Sequence, residues 1–102
     1  MCTIQIITGL QGTGKTTLLK NRVKNVGGKL MSISEIRNFQ LDEFGYGDFD
    51  TIGVDEVYDE NDFKLLDRFG AEQIIITTQR SIKEILSFGL TGPLMFIGSK
   101  YA

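Results

Sequence analysis

The first residues whose types and spacing could do chemistry are Gly9-Leu10-Gln11-Gly12-Thr13-Gly14-Lys15-Thr16. They match G-x-x-x-x-G-K-[ST] at every fixed position, a pattern whose parts each have a task toward a phosphate chain. Gly9, Gly12 and Gly14 permit positive φ and close backbone approach, so that successive N–H groups can surround phosphate oxygens. Gln11, Thr13 and Thr17 complete the expected phosphate-binding stretch, and a helix starting near Lys15 would turn its N-terminal N–H groups and dipole toward the anion. Lys15 is expected to reach the β- and γ-phosphates and the Thr16 hydroxyl to ligate Mg²⁺.

Asp55-Glu56 stands at the end of an apolar run, where open α/β sheets take their ligands. The expectation is that Asp55 holds Mg²⁺ through a water and that Glu56, one residue on, polarises the attacking water as general base. Asp59, Glu60 and Asp62 are competing carboxylates, and an acidic helix-capping turn is the plainer alternative. Thr78-Gln79 ends a second apolar run and could bring a neutral hydrogen-bonding side chain to the γ-phosphate or the lytic water, or simply cap a strand. Arg80 and Arg68 are the two candidates for an arginine offered to a neighbouring subunit's γ-phosphate, since a guanidinium stabilises charge spread over a transferring phosphoryl group. Lys20, Arg22 and Lys24 read as a solvated helix face, with nucleic-acid contact as the alternative.

The elements that must position these residues are legible as a strand–helix alternation. Thr3-Ile4-Gln5-Ile6-Ile7-Thr8 is rich in β-branched residues and feeds the glycine loop as a central strand. Leu19, Val23 and Val26 then fall on one helical face, and Gly27-Gly28 ends that helix with left-handed backbone. Lys29 to Ser32 reads as a short strand. Ser32 with Glu35 forms a capping box opening a helix with Ile33, Ile36 and Phe39 on its apolar face. Gly45 to Asp48 is turn chemistry and Thr51 to Val54 a strand delivering Asp55-Glu56. Phe63, Leu66 and Phe69 mark a third helix, closed by Gly70, and Gln73 to Thr78 is the most hydrophobic strand. Ser81 with Glu84 repeats the capping box, Ile82, Ile85 and Leu86 supply the stripe, Gly89 ends the helix, and Leu94 to Ile97 is a last strand. Five strands alternating with four helices predict an α/β three-layer sandwich, with a parallel sheet covered on both faces and wound by right-handed crossovers.

Composition bounds the alternatives. At 102 residues with one proline and mixed charge, the chain suits one domain, 1–102, with a single modest core and no linker. One cysteine and no histidine exclude a disulfide framework and a Cys/His zinc site within the chain. No stretch approaches the length of a membrane span and no leader is evident, so a cytoplasmic protein is expected, in the host cytoplasm if the source is viral. The net charge of −2 conceals an asymmetry: residues 1–34 carry five cations and no acid, whereas residues 35–72 carry twelve acids against three cations. Such a division suits head-to-tail docking of subunits, contact of the basic part with a polyanion, or merely solvated faces.

In the loop ending in Lys15-Thr16, the strand carrying Asp55-Glu56 and the strand ending in Thr77-Thr78-Gln79, the chain resembles the additional-strand catalytic-glutamate branch of P-loop NTPases. These segments match the order of that branch's Walker A, Walker B and sensor elements. The resemblance implies a sheet order of 5-1-4-3-2. Ile-Thr-Thr-Gln-Arg, residues 76–80, looks like the strand end of DNA-pumping, viral genome-packaging and phage-assembly ATPases. The activity implied is Mg²⁺-dependent ATP hydrolysis by an oligomer acting on nucleic acid or in phage or mobile-element assembly. ATP is expected over GTP because no Asn-Lys-x-Asp guanine-reading motif is present. Two other classes stay open: a small-molecule kinase resembling the thymidine kinases, which also place Asp-Glu after a strand, and a nucleotide-binding subunit without turnover.

Overall fold

Apolar β-branched runs separated by amphipathic segments leave each strand two faces to bury, and the chain answers with helices on both. The structure, a computed structural model, describes residues 3–9, 14–38, 50–69 and 71–98. In chain order these form β1 (Thr3–Thr8), α1 (Lys15–Asn25), β2 (Lys29–Met31), α2 (Ile33–Asn38), β3 (Thr51–Val54), α3 (Glu60–Asp67), β4 (Gln73–Thr78), α4 (Ile82–Leu86) and β5 (Leu94–Gly98). All pairings are parallel and the sheet order is β2-β3-β4-β1-β5, which reads 5-1-4-3-2 from the β5 edge. The expected α/β class and five-stranded parallel sheet are therefore observed, with β4 lying between β1 and β3.

Side chains alternate across each strand, so one sheet serves two cores. Ile4, Ile6, Ile52, Val54, Ile74 and Ile76 face Ile36 of α2, Phe63 and Leu66 of α3 and Ile85 of α4. On the other face Ile7 and Ile75 meet Leu19 and Val23 of α1. Full burial of Ile74, Ile75 and Ile76 makes β4 the centre of the molecule, each side chain contributing about 1.5–3 kcal/mol. Both capping boxes form. Glu35 N–H donates to Ser32 Oγ and Ser32 N–H to Glu35 Oε1, each at 3.1 Å. Ser81 and Glu84 exchange the equivalent pair at 3.2 Å.

Several expectations are corrected. Val26 is 55% exposed because α1 ends at Asn25, after which helical spacing no longer predicts facing. Ile82 and Leu86 are also exposed, the latter 60%: α4 spans five residues, too short to turn more than Ile85 into the core. By contrast, Gly89 closes this segment as expected: past Leu86 the turn runs on with Phe88 N–H donating to the Ile85 carbonyl at 3.1 Å, and Gly89 then stands in the left-handed region at φ 70°. Gly27 alone supplies the left-handed backbone after α1, at φ 71°. Gly28 is needed instead for space, since a Cβ there would sit 2.8 Å from the Thr51 carbonyl oxygen. Ser32 stands outside β2, and Phe69 is buried although α3 stops at Asp67. The expectations for Leu10 to Thr13, Phe39, Gly45 to Asp48 and Gly70 lie outside the described residues.

Two ties link the outer elements, one between α2 and α3 and one from α3 to the loop before β5. Arg37 of α2 donates Nε to Asp62 Oδ1 of α3 at 2.9 Å, with a second bond from Nη2, and this partnership with Asp62 raises the arginine's pKa. Asp67 accepts from Thr91 N–H, Thr91 Oγ1 and Gly92 N–H at 2.8–2.9 Å, securing the turn into β5. Burial alone would push the Asp67 carboxyl up, but those bonds outweigh it and hold the group below the usual carboxylate range.

Gly53 of β3 lies under α1, where an added Cβ would meet Val23 Cγ2 at 2.4 Å and Leu30 Cδ2 at 3.0 Å. Gly53→Ala is expected to lower stability by about 1–3 kcal/mol through overpacking. The check is the midpoint of a urea transition; a midpoint equal to that of the unsubstituted protein would mean that α1 can lift away from the sheet at no cost.

Candidate functional site

Parallel strands deliver their carboxyl ends to one edge of the sheet, and the chemistry-bearing residues lie there. β1 ends at Thr8, followed by Gly9 at φ 151°, and the chain re-enters the described residues at Gly14, at φ 82° in the left-handed region. Leu18 N–H donates to the Gly14 carbonyl at 3.0 Å, the first helical bond of α1. The first turn of α1 carries no carboxylate and Gly14 offers no side-chain cap, so its helix dipole meets no acid of its own turn. Of the expected phosphate-binding set, Gly9, Gly14, Lys15, Thr16 and Thr17 are described, whereas Gln11, Gly12 and Thr13 lie outside the described residues.

Lys15 is only 8% exposed, an unusual burial for a lysine. It lines a cavity of about 220 Å³ together with Glu56, Val57, Tyr58, Thr78 and Gln79. Thr17, exposed on the same turn, does not line it.

β3 and β4 run in register from Thr51 opposite Gln73 to Val54 opposite Ile76, which carries the next residue, Asp55, to the level of Thr77. There Thr77 Oγ1 donates to Asp55 Oδ1. From α1, Thr16 Oγ1 donates toward the same carboxylate, 3.0 Å from Oδ2 and 3.2 Å from Oδ1. Two residues 39 positions apart are thus in direct contact. The competing acids are engaged elsewhere: Asp62 is buried on Arg37, Asp59 lies 3.7 Å from Arg37, and Glu60 pairs with Lys64 at 2.8 Å.

Glu56 leaves β3 in the left-handed region, at φ 56°, the one non-glycine residue with positive φ among the described residues. Its N–H donates to Thr77 Oγ1 at 2.7 Å, and Val57 N–H donates to the Thr77 carbonyl at 2.9 Å. Val57 then inserts into the core. This sharp turn leaves the Glu56 side chain exposed at the cavity. Such conformations cost about 1–3 kcal/mol, persist only where the surroundings over-determine them, and gather at functional sites.

At the end of β4, Thr78 is buried and its hydroxyl accepts the Arg80 N–H at 3.0 Å, while Gln79 projects outward at the cavity. Gln79 also borders a groove of about 380 Å³ shared with Thr8, Gly9 and Arg80. Arg80 is committed within its own chain. Its Nε donates to the Tyr58 carbonyl at 2.8 Å, its Nη1 to Glu84 Oε2 at 2.6 Å, and its guanidinium carbon stands 4.0 Å from the Tyr58 ring centroid. The bond to Glu84 raises the Arg80 pKa and lowers that of Glu84, which is helped further by Ser81. Arg68 is exposed at the end of α3 and lines a separate groove with Arg37 and Lys64, so it is not brought to Lys15 within one subunit.

The Thr16 hydroxyl and the Asp55 carboxylate offer two adjacent oxygen donors, which suits Mg²⁺, an ion that keeps several waters and shares its shell with phosphate oxygens. Among the described residues no three His, Cys, Asp or Glu side chains gather into a metal cage. Sequence reasoning passed over Thr77 and Tyr58. The signal for Thr77 was a polar side chain directly after the apolar run Ile74-Ile75-Ile76. Tyr58 carries no local signal, because its place beside the cavity follows from the turn at Glu56. Among the described residues no helix is long and apolar enough to cross a membrane. The chain matches no protein-family model and no curated protein.

Proposed function

We propose that this chain is an Mg²⁺-dependent ATPase of the P-loop NTPase fold, in the additional-strand catalytic-glutamate branch, working as an oligomer on nucleic acid or in phage or mobile-element assembly. The observation that carries the reading is the contact between Thr16, next to Lys15, and Asp55, with Glu56 facing the same cavity as Lys15. The position of β4 between the strands bearing the glycine loop and Asp55-Glu56 supports the branch.

In this reading the loop backbone and the N-terminus of α1 bind the triphosphate, and the Lys15 ammonium neutralises charge on the β- and γ-phosphates. Thr16 and Asp55 would hold Mg²⁺, which when bound neutralises developing charge on the phosphate oxygens. Glu56 accepts a proton from the attacking water, and Gln79 hydrogen-bonds that water or the γ-phosphate. Arg68, exposed, is the arginine we assign to a neighbouring subunit's γ-phosphate. Arg80 could serve only by exchanging its bonds to Glu84 and Tyr58.

A second reading, a small-molecule kinase, is favoured by one observation: the cavity beside Lys15 is walled by the exposed Tyr58 as well as Glu56, leaving room for an acceptor. The deciding experiment is ATP hydrolysis with Mg²⁺ across protein concentrations, with and without single- and double-stranded DNA, and a nucleoside panel in parallel. Specific activity that rises with concentration and with DNA supports the oligomeric ATPase. Phosphate transfer to a nucleoside supports the kinase, and nucleotide binding without turnover would leave a binding subunit.

A further inference from the structure

A hydroxyl can donate one hydrogen bond and accept two. The Thr77 hydroxyl, with no solvent exposure at its residue, uses both capacities on the two acids of the site: it donates to Asp55 Oδ1 and accepts the Glu56 N–H at 2.7 Å. The Thr77 carbonyl takes the next amide, Val57 N–H, at 2.9 Å. Consecutive amides of the turn after β3 therefore end on one residue of β4. Thr77 shares a strand face with Ile75, two positions before it, which packs under α1, so its side chain lies on the side from which Thr16 reaches Asp55.

We infer that Thr77 is a positioning residue that sets both carboxylates through one atom, holding Asp55 toward Thr16 and fixing the Glu56 backbone in its left-handed turn. The inference rests on the ATPase reading for its catalytic consequence, but its geometric half stands by itself. With Oδ1 engaged by Thr77, Oδ2 is the oxygen nearer Thr16, at 3.0 Å. With the Glu56 N–H tied down, the side chain leaves the turn toward the cavity that Lys15 lines. A valine has the same shape and neither capacity; a serine has both.

The test compares Thr77→Val and Thr77→Ser with the unsubstituted protein. For Thr77→Val we expect kcat to fall about 10–100-fold and half-saturating Mg²⁺ to rise several-fold, the range seen when a group supporting a ligand is removed, with KM for ATP within about threefold. Amide exchange followed by NMR is expected to quicken about tenfold or more at Glu56, whose acceptor is lost, and less at Val57, whose acceptor is main chain. Thr77→Ser is expected to return kcat, the Mg²⁺ dependence and the Glu56 exchange rate to within about threefold of the unsubstituted protein, because it returns the donor and acceptor but not the methyl. Unchanged kcat and Mg²⁺ dependence in Thr77→Val would overturn the inference, as would a serine variant as impaired as the valine one, which would mean that packing alone matters. If the unsubstituted protein shows no Lys15-dependent hydrolysis, the ATPase reading fails separately. Glu56 exchange then decides, and an unchanged rate in Thr77→Val overturns the positioning role.

Discussion

Lys15→Ala is expected to abolish tight nucleotide binding and to bring ATP turnover down to that of buffer. Lys15 is 8% exposed at the first position of α1 and lines the cavity together with Glu56 and Gln79. In so sheltered a place, charge-assisted hydrogen bonds to phosphate are about twice as strong as neutral ones, and water does not replace the lost cation well. We expect affinity for Mg²⁺-ATP to fall at least about 100-fold, equivalent to about 2.8 kcal/mol. Alanine is the best helix former, so α1 should be retained and the loss should not reflect unfolding. Titration calorimetry with a non-hydrolysable ATP analogue measures the effect, with the urea midpoint as control. A dissociation constant within a few-fold of the unsubstituted protein would remove Lys15 from the phosphate site and with it the ATPase reading.

Glu56→Gln separates binding from chemistry. The amide keeps the size and reach of the side chain but cannot take a proton from water at neutral pH. General-base assistance contributes roughly 10²–10⁴-fold, so kcat should fall by at least about 100-fold while KM stays within about threefold. Equal turnover by the two proteins would show that another group, or none, acts as base. The backbone makes a third form informative. At φ 56° a glycine carries no Cβ penalty, so Glu56→Gly should lose turnover as the glutamine form does while gaining about 1 kcal/mol of stability. A gain in stability with loss of activity is the signature of strain retained for function. A less stable glycine variant would show that the glutamate side chain contributes to the fold.

Arg80 and Arg68 were indistinguishable in sequence and are not in space. Arg80 stacks on Tyr58 and binds Glu84, so that it braces the loop after Glu56 from within its own subunit. Arg68 stands exposed at the far end of α3, in a groove separate from the cavity that Lys15 lines. The acidic stretch separates in the same manner: Asp62 and Glu60 serve the α2–α3 pair and the surface of α3, and among the described acids it is Asp55 that meets Thr16.

The sequence by itself determined what is contiguous. Strand, glycine loop and helix follow one another within residues 3–25, and each capping box spans four consecutive residues, so their geometry depends on local backbone chemistry. The alternation of strands and helices, and hence the α/β class, follows from hydrophobic period alone. The strand order was implied by resemblance rather than by any period, because nothing local says which strands pair. Only the tertiary structure decided that Asp55 rather than Asp59, Glu60 or Asp62 faces Thr16, that Thr77 joins Asp55 to Glu56, and that Val26, Ile82 and Leu86 stay outside the cores. These depend on the register of β3 against β4 and on where short helices stop, and both are settled by packing between segments far apart in the chain.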